Sequence, residues 1–73
     1  MVVRDVYVAV YDWSGFLLGH EVWTITASAQ DEAVREARGR ANRLSTSASG
    51  RKYVCQLFGD AGSFDHLMKE PKR

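Results

Sequence analysis

From Asp5 to Trp13 the chain alternates Val6, Val8 and Val10 with Tyr7, Ala9 and Tyr11. A period of two in β-branched and aromatic residues predicts a strand, and this strand is apolar on both faces. Asp12-Trp13-Ser14-Gly15 supplies turn residues, and a second strand follows through Ile25. With a two- or four-residue loop, Val6, Val8 and Val10 share a face with Leu17, Trp23 and Ile25. Tyr7, Ala9 and Tyr11 then share the other with Leu18, His20, Val22 and Thr24. A three-residue loop or a bulge would exchange the two sets.

Near Ala27 the period lengthens. Ser28, with Asp31 and Glu32 behind it, reads as an N-cap followed by acid in the first turn. Ala33, Val34, Ala37, Ala41, Leu44 and Ala48 fall at helical spacing, which predicts a helix from about Ala29 to Ser45 with an alanine stripe toward the sheet. Asp31 with Arg35 and Glu36 with Arg40 are acid-first pairs one turn apart that support it. Gly39 costs such a helix roughly 0.5–1 kcal/mol relative to alanine. Ser45 to Gly50 ends the helix, and Arg51 to Phe58 resumes strand composition. A helical crossover makes the strands it joins parallel, so the third strand lies antiparallel beside the first and the sheet order is 2-1-3. Ser63 is placed to cap a short helical turn through Met68, stopped by Pro71. The expectation is an α+β fold, a single ββαβ domain over 1–73. It has a three-stranded antiparallel/mixed sheet, one long helix on one face and a short C-terminal helical turn, with residues 1–4 and 70–73 frayed.

Size and charge narrow the classes. At 73 residues a hydrophobic core is near the lower limit for holding a fold unaided, and small domains commonly add disulfides, metals or oligomerisation. Cys55 is the sole cysteine and no zinc-type Cys/His set exists, which leaves oligomerisation. With no apolar run long enough to span a bilayer and no leader-like segment, the expectation is a cytoplasmic protein without membrane contacts. The formal net charge of +1 conceals an asymmetry: residues 1–34 carry −4 (Arg4 against five acids) and residues 35–52 carry +5 (six bases against Glu36).

Candidate chemistry is sparse. Cys55 with His20 or His66 lacks a catalytic signature, and a mid-strand cysteine is more simply a small buried hydrophobe. Asp60, Asp65 and His66 match neither an EF-hand loop nor a zinc pattern. No phosphate-binding glycine motif is present, so no enzyme, metal or cofactor is expected. The residues singled out are Tyr7, Tyr11, Leu18 and Val22, an aromatic-bearing face that the helix leaves uncovered. Two covers compete for it: Phe64, Leu67 and Met68 folding back, or a partner. Arg38, Arg43, Arg51 and Lys52 are candidate contacts to an anionic partner.

The order of hairpin, helix and strand over residues 5–58 loosely resembles small antitoxins that pair with mRNA-interfering toxins, and short phage or mobile-element proteins. None of the antitoxin family's diagnostic motifs accompanies it. What the topology implies by analogy is a protein that acts by occupying another protein. The function expected is a non-enzymatic interaction module, homodimeric through its sheet, one concrete form being a phage- or mobile-element-encoded inhibitor of a host protein. The alternative is weak nucleic-acid binding by the basic segment 35–52 with aromatics on the sheet.

Overall fold

The computed structural model describes residues 1–68, and the expectation of fraying at 70–73 lies outside them. The elements are β1 (Val2–Asp12), β2 (Leu17–Ala27), α1 (Gln30–Leu44), β3 (Arg51–Asp60) and the short α2 (Asp65–Met68). The sheet is three-stranded and antiparallel in the order β2-β1-β3, the predicted 2-1-3 arrangement. β1 begins at Val2 rather than Asp5, because Val2, Val3 and Arg4 pair with Ala27, Thr26 and Ile25 instead of fraying. The molecule measures 37 × 37 × 14 Å, the thin dimension holding one sheet and one helix layer.

The core lies between the valine face and α1. Val6, Val8, Trp23, Ile25 and Ala27 of the sheet meet Ala33, Ala37 and Ala41 of the helix, with Tyr53, Cys55 and Phe58 packed at the margin. Alanines every fourth residue bring the helix axis close to the sheet, so the bulk filling the interior comes from Ile25, Val6 and Val8, all fully buried. Each such side chain contributes about 1.5–3 kcal/mol of burial. Arg40 lies 5.2 Å over the Trp23 ring, a cation–π contact in place of the predicted pair with Glu36. The Asp31–Arg35 pair does form, at 4.0 Å between exposed groups, where it adds little.

The β1–β2 connection departs from the expected loop lengths. Asp12 and Phe16 are joined by Asp12 N–H to Phe16 C=O (2.9 Å), which leaves three loop residues ending in Gly15 at φ +93. That is the left-handed position such a hairpin requires. The three-residue loop pairs Tyr11 with Leu17, so Leu17 leaves the valine face to which it was assigned. A bulge at Leu18 then restores the parity, and Val10 pairs with Gly19. Two irregularities cancel, which is why Trp23 and Ile25 reach the core as expected.

At the helix start the roles reverse. Ser28 is not the N-cap; that position is Ala29, without a side-chain hydrogen bond. Instead Glu32 Oε1 accepts from Ser28 N–H (2.9 Å) and Ser28 Oγ (2.6 Å), reaching back as a capping-box glutamate does but to the residue before the N-cap. Likewise Ser63 caps nothing in α2, its hydroxyl donating to Asp60 C=O at 2.7 Å. At the hairpin, Asp12 Oδ1 accepts from Ser14 N–H, Ser14 Oγ and Phe16 N–H at 2.6–2.9 Å. Hydrogen bonding from Ser14 holds the Asp12 carboxyl below its ordinary value, and bonding from Ser28 does the same for Glu32. A carboxylate with a depressed folded pKa stabilises the fold above its unfolded pKa and loses that contribution as pH falls through the folded value. The thermal midpoint is therefore expected to stay level from neutral pH to about pH 5 and to fall below that. Asp12→Asn with Glu32→Gln should flatten the acid limb in a melting series followed by circular dichroism.

Candidate interaction surface

The face opposite α1 is built in three rows across the sheet. Tyr7 lies between Val22 and Leu57, Ala9 between His20 and Val54, and Tyr11 between Leu17 and Lys52. Residues directly opposite in antiparallel strands share a face, so seven apolar side chains from three strands, with His20 among them, join on one side. Val54 and Leu57 differ by an odd number yet face the same way because the ladder shifts between them, Val8 pairing with Cys55 and Tyr7 with Leu57. That bulge hid them in the sequence, where strict alternation separates 54 from 57.

The tail covers one end of this face. Asp5, buried on the same side, accepts from Thr24 Oγ1 (2.8 Å) through one carboxylate oxygen and from Gly62 N–H (2.8 Å) through the other. Gly62, at φ +85, turns the chain so that Phe64 drops onto Tyr7, ring centroids 5.7 Å apart and tilted by 36°. His20 stacks parallel on Tyr7 at 4.6 Å. Gly59 makes room for this return: a Cβ there would stand 2.5 Å from Ser63 Oγ and 3.1 Å from Phe64 Cζ. Phe64 is buried, whereas Leu67 remains exposed.

The closure stops there. Leu18, Val54 and Leu57 are each between 44% and 51% exposed, and Tyr11 is half-buried. Of the residues singled out from sequence, Tyr7 and Val22 are direct neighbours under the edge of the tail, Tyr11 stands two rows away, and Leu18 is the bulged residue beside it. Val54 and Leu57 belong to the same surface and were missed.

The candidate anion contacts are divided between the two sides. Lys52 is on the open face opposite Tyr11, its Nζ 5.3 Å over the Trp13 ring. Arg51 pairs with Asp12 on the helix side. Arg38 lines a shallow hollow of about 540 Å³ between α1 and β3 with Asn42, Ser45, Tyr53 and Cys55, and Arg43 folds back along α1 toward Gly39. Burial pushes the Cys55 thiol upward, partly offset by Arg38, which disfavours the thiolate. Among the described residues no three His, Cys, Asp or Glu side chains gather at metal-binding distance.

The fold and this face define a ββαβ module with one sheet surface that the described residues cover incompletely. No family model, curated protein or solved structure matches it.

Proposed function

We propose that the chain is a non-enzymatic interaction module that self-associates by stacking its open sheet face on that of a second copy. The observation that carries this reading is the set of exposed Val54 and Leu57 beside half-buried Tyr11, with Leu18 at the rim, on the side of the sheet away from α1. Aromatic and aliphatic side chains in one patch are the usual centre of a protein interface. A 73-residue chain with a single thin core gains from burying the second side of its sheet. Occupation of another protein's surface by this same face is how such a module would work as a small inhibitor, including one encoded by a phage or mobile element.

Light scattering should give twice the 8.2 kDa chain mass. The double variant Tyr11→Lys/Leu57→Lys should return the mass of one chain with an unchanged circular dichroism spectrum, since neither side chain is in the core. A wild-type protein that stays at the mass of one chain at every concentration would falsify self-association.

A further inference from the structure

A second surface lies at the hairpin end of the molecule and adjoins the Tyr11 row of the open face. Trp13, Phe16, Leu17, Leu18 and Leu44 are each between 42% and 69% exposed. Single exposed apolar residues are ordinary, but a contiguous group is not. These gather at one end: the first four occupy the β1–β2 hairpin end. Trp13 Nε1 donates to Thr46 C=O at 3.0 Å, and Thr46 N–H donates to Leu44 C=O at 3.0 Å, which brings the end of α1 alongside. The same end carries Lys52 against Trp13 and Arg51 at the start of β3. Asp12, the acid within the turn, is engaged by Ser14 and Phe16.

Several donors of the hairpin are already occupied within the chain, with the Asp12 carboxylate at its base suited to the headgroup layer rather than the acyl region. The N–H groups of Ser14 and Phe16 are taken by the Asp12 carboxylate, Gly15 N–H by Asp12 C=O (3.1 Å) and the indole N–H by Thr46. Such groups are costly to carry out of water unless paired within the chain.

We propose that this end docks, hairpin first, into the headgroup layer of an anionic lipid bilayer. Phe16, Leu17 and Leu18 enter the acyl boundary, Trp13 sits at headgroup level, and Arg51 and Lys52 meet lipid phosphates. Three leucines among five exposed residues favour lipid over nucleic acid, because aliphatic side chains offer bases no stacking face. Charge selects the anionic surface. Docking of this kind needs no bilayer-spanning helix, and the described residues include none long and apolar enough to cross.

The test is co-sedimentation with vesicles of phosphatidylcholine alone and of phosphatidylcholine mixed with phosphatidylglycerol. The full chain should bind the mixture and not the neutral vesicles, and added salt should weaken binding. Phe16→Ser with Leu17→Ser should lower the partition constant by at least about tenfold, without shifting the thermal midpoint because both residues are exposed. Arg51→Gln and Lys52→Gln should each lower it by roughly fivefold. Val54→Asn/Leu57→Asn, away from the hairpin end and without a change of charge, should still bind, which separates this surface from the centre of the open face. No binding to anionic vesicles at low salt overturns the proposal, as does equal binding by the Phe16→Ser/Leu17→Ser variant. Retention of a single-stranded oligonucleotide through the same residues, with vesicles ignored, overturns it in favour of a nucleic-acid partner.

Discussion

Phe64→Ala should lower the free energy of unfolding by about 3 kcal/mol, the lower part of the range for truncating a buried phenylalanine. The ring is 7% exposed and lies against Tyr7. Its neighbour Leu67 is exposed, so removal of the Phe64 ring both opens a cavity and frees the segment held by Asp5 and Gly62. Leu67→Ala, at an exposed position in the same segment, should cost less than about 1 kcal/mol. Urea denaturation at one protein concentration checks both, since self-association ties apparent stability to concentration. Equal, small losses for the two variants would show that the tail does not close the Tyr7 end. With Phe64 gone, Tyr7 joins the exposed surface, and light scattering should show association at lower concentration than for the wild type.

Ile25→Ala is expected to cost about 4 kcal/mol. Ile25 is fully buried at the centre of the helix-facing layer, and its neighbours across the interface, Ala33, Ala37 and Ala41, are too small to reach into the space it would leave. A domain of this length has a stability of roughly 7 kcal/mol at about 0.1 kcal/mol per residue, so one substitution removes more than half of it. The variant should be largely unfolded in urea concentrations that leave the wild type intact. Leu17→Ala offers the contrast. Alternation alone assigns Leu17 to the same face as Ile25, yet the hairpin places it in the open, and its loss should be within about 0.5 kcal/mol. Comparable losses at Leu17 and Ile25 would contradict the observed register.

The comparison of Leu17 with Ile25 shows where sequence reasoning reaches and where it stops. Face assignment by alternation is a parity rule, and every bulge or odd loop reverses it. In β2 the three-residue loop and the bulge at Leu18 cancelled, so only Leu17 was misplaced. In β3 the single shift near Gln56 was not cancelled, and it brought Val54 and Leu57 together on a face where alternation could place only one of them. The candidate surface was therefore half legible: Tyr7, Tyr11, Leu18 and Val22 could be named, and their β3 neighbours could not. The helix start shows the same limit in a different interaction. The Ser28 and Glu32 pairing is a sequence signal for helix initiation in either direction, and only the backbone path decided that the carboxylate, not the hydroxyl, is the acceptor.

By itself the sequence determined the element types, their order and the central place of β1. Periodicity of two and of 3.6 is written in neighbouring residues, and the right-handed crossover restricts the topology. It also determined that the long helix could cover only one of the sheet's two apolar faces, leaving the other to the tail or to a partner. The tertiary structure alone decided how much of that face the tail covers. The answer depends on Asp5 receiving Gly62 across 57 positions of sequence and on the clearance that Gly59 leaves for Phe64. It alone decided, too, that the hairpin end gathers Trp13, Phe16 and Leu17 beside Arg51 and Lys52. Hydrogen bonds to Asp12 and Thr46 set the direction of that turn, and such distances have no trace in a linear pattern.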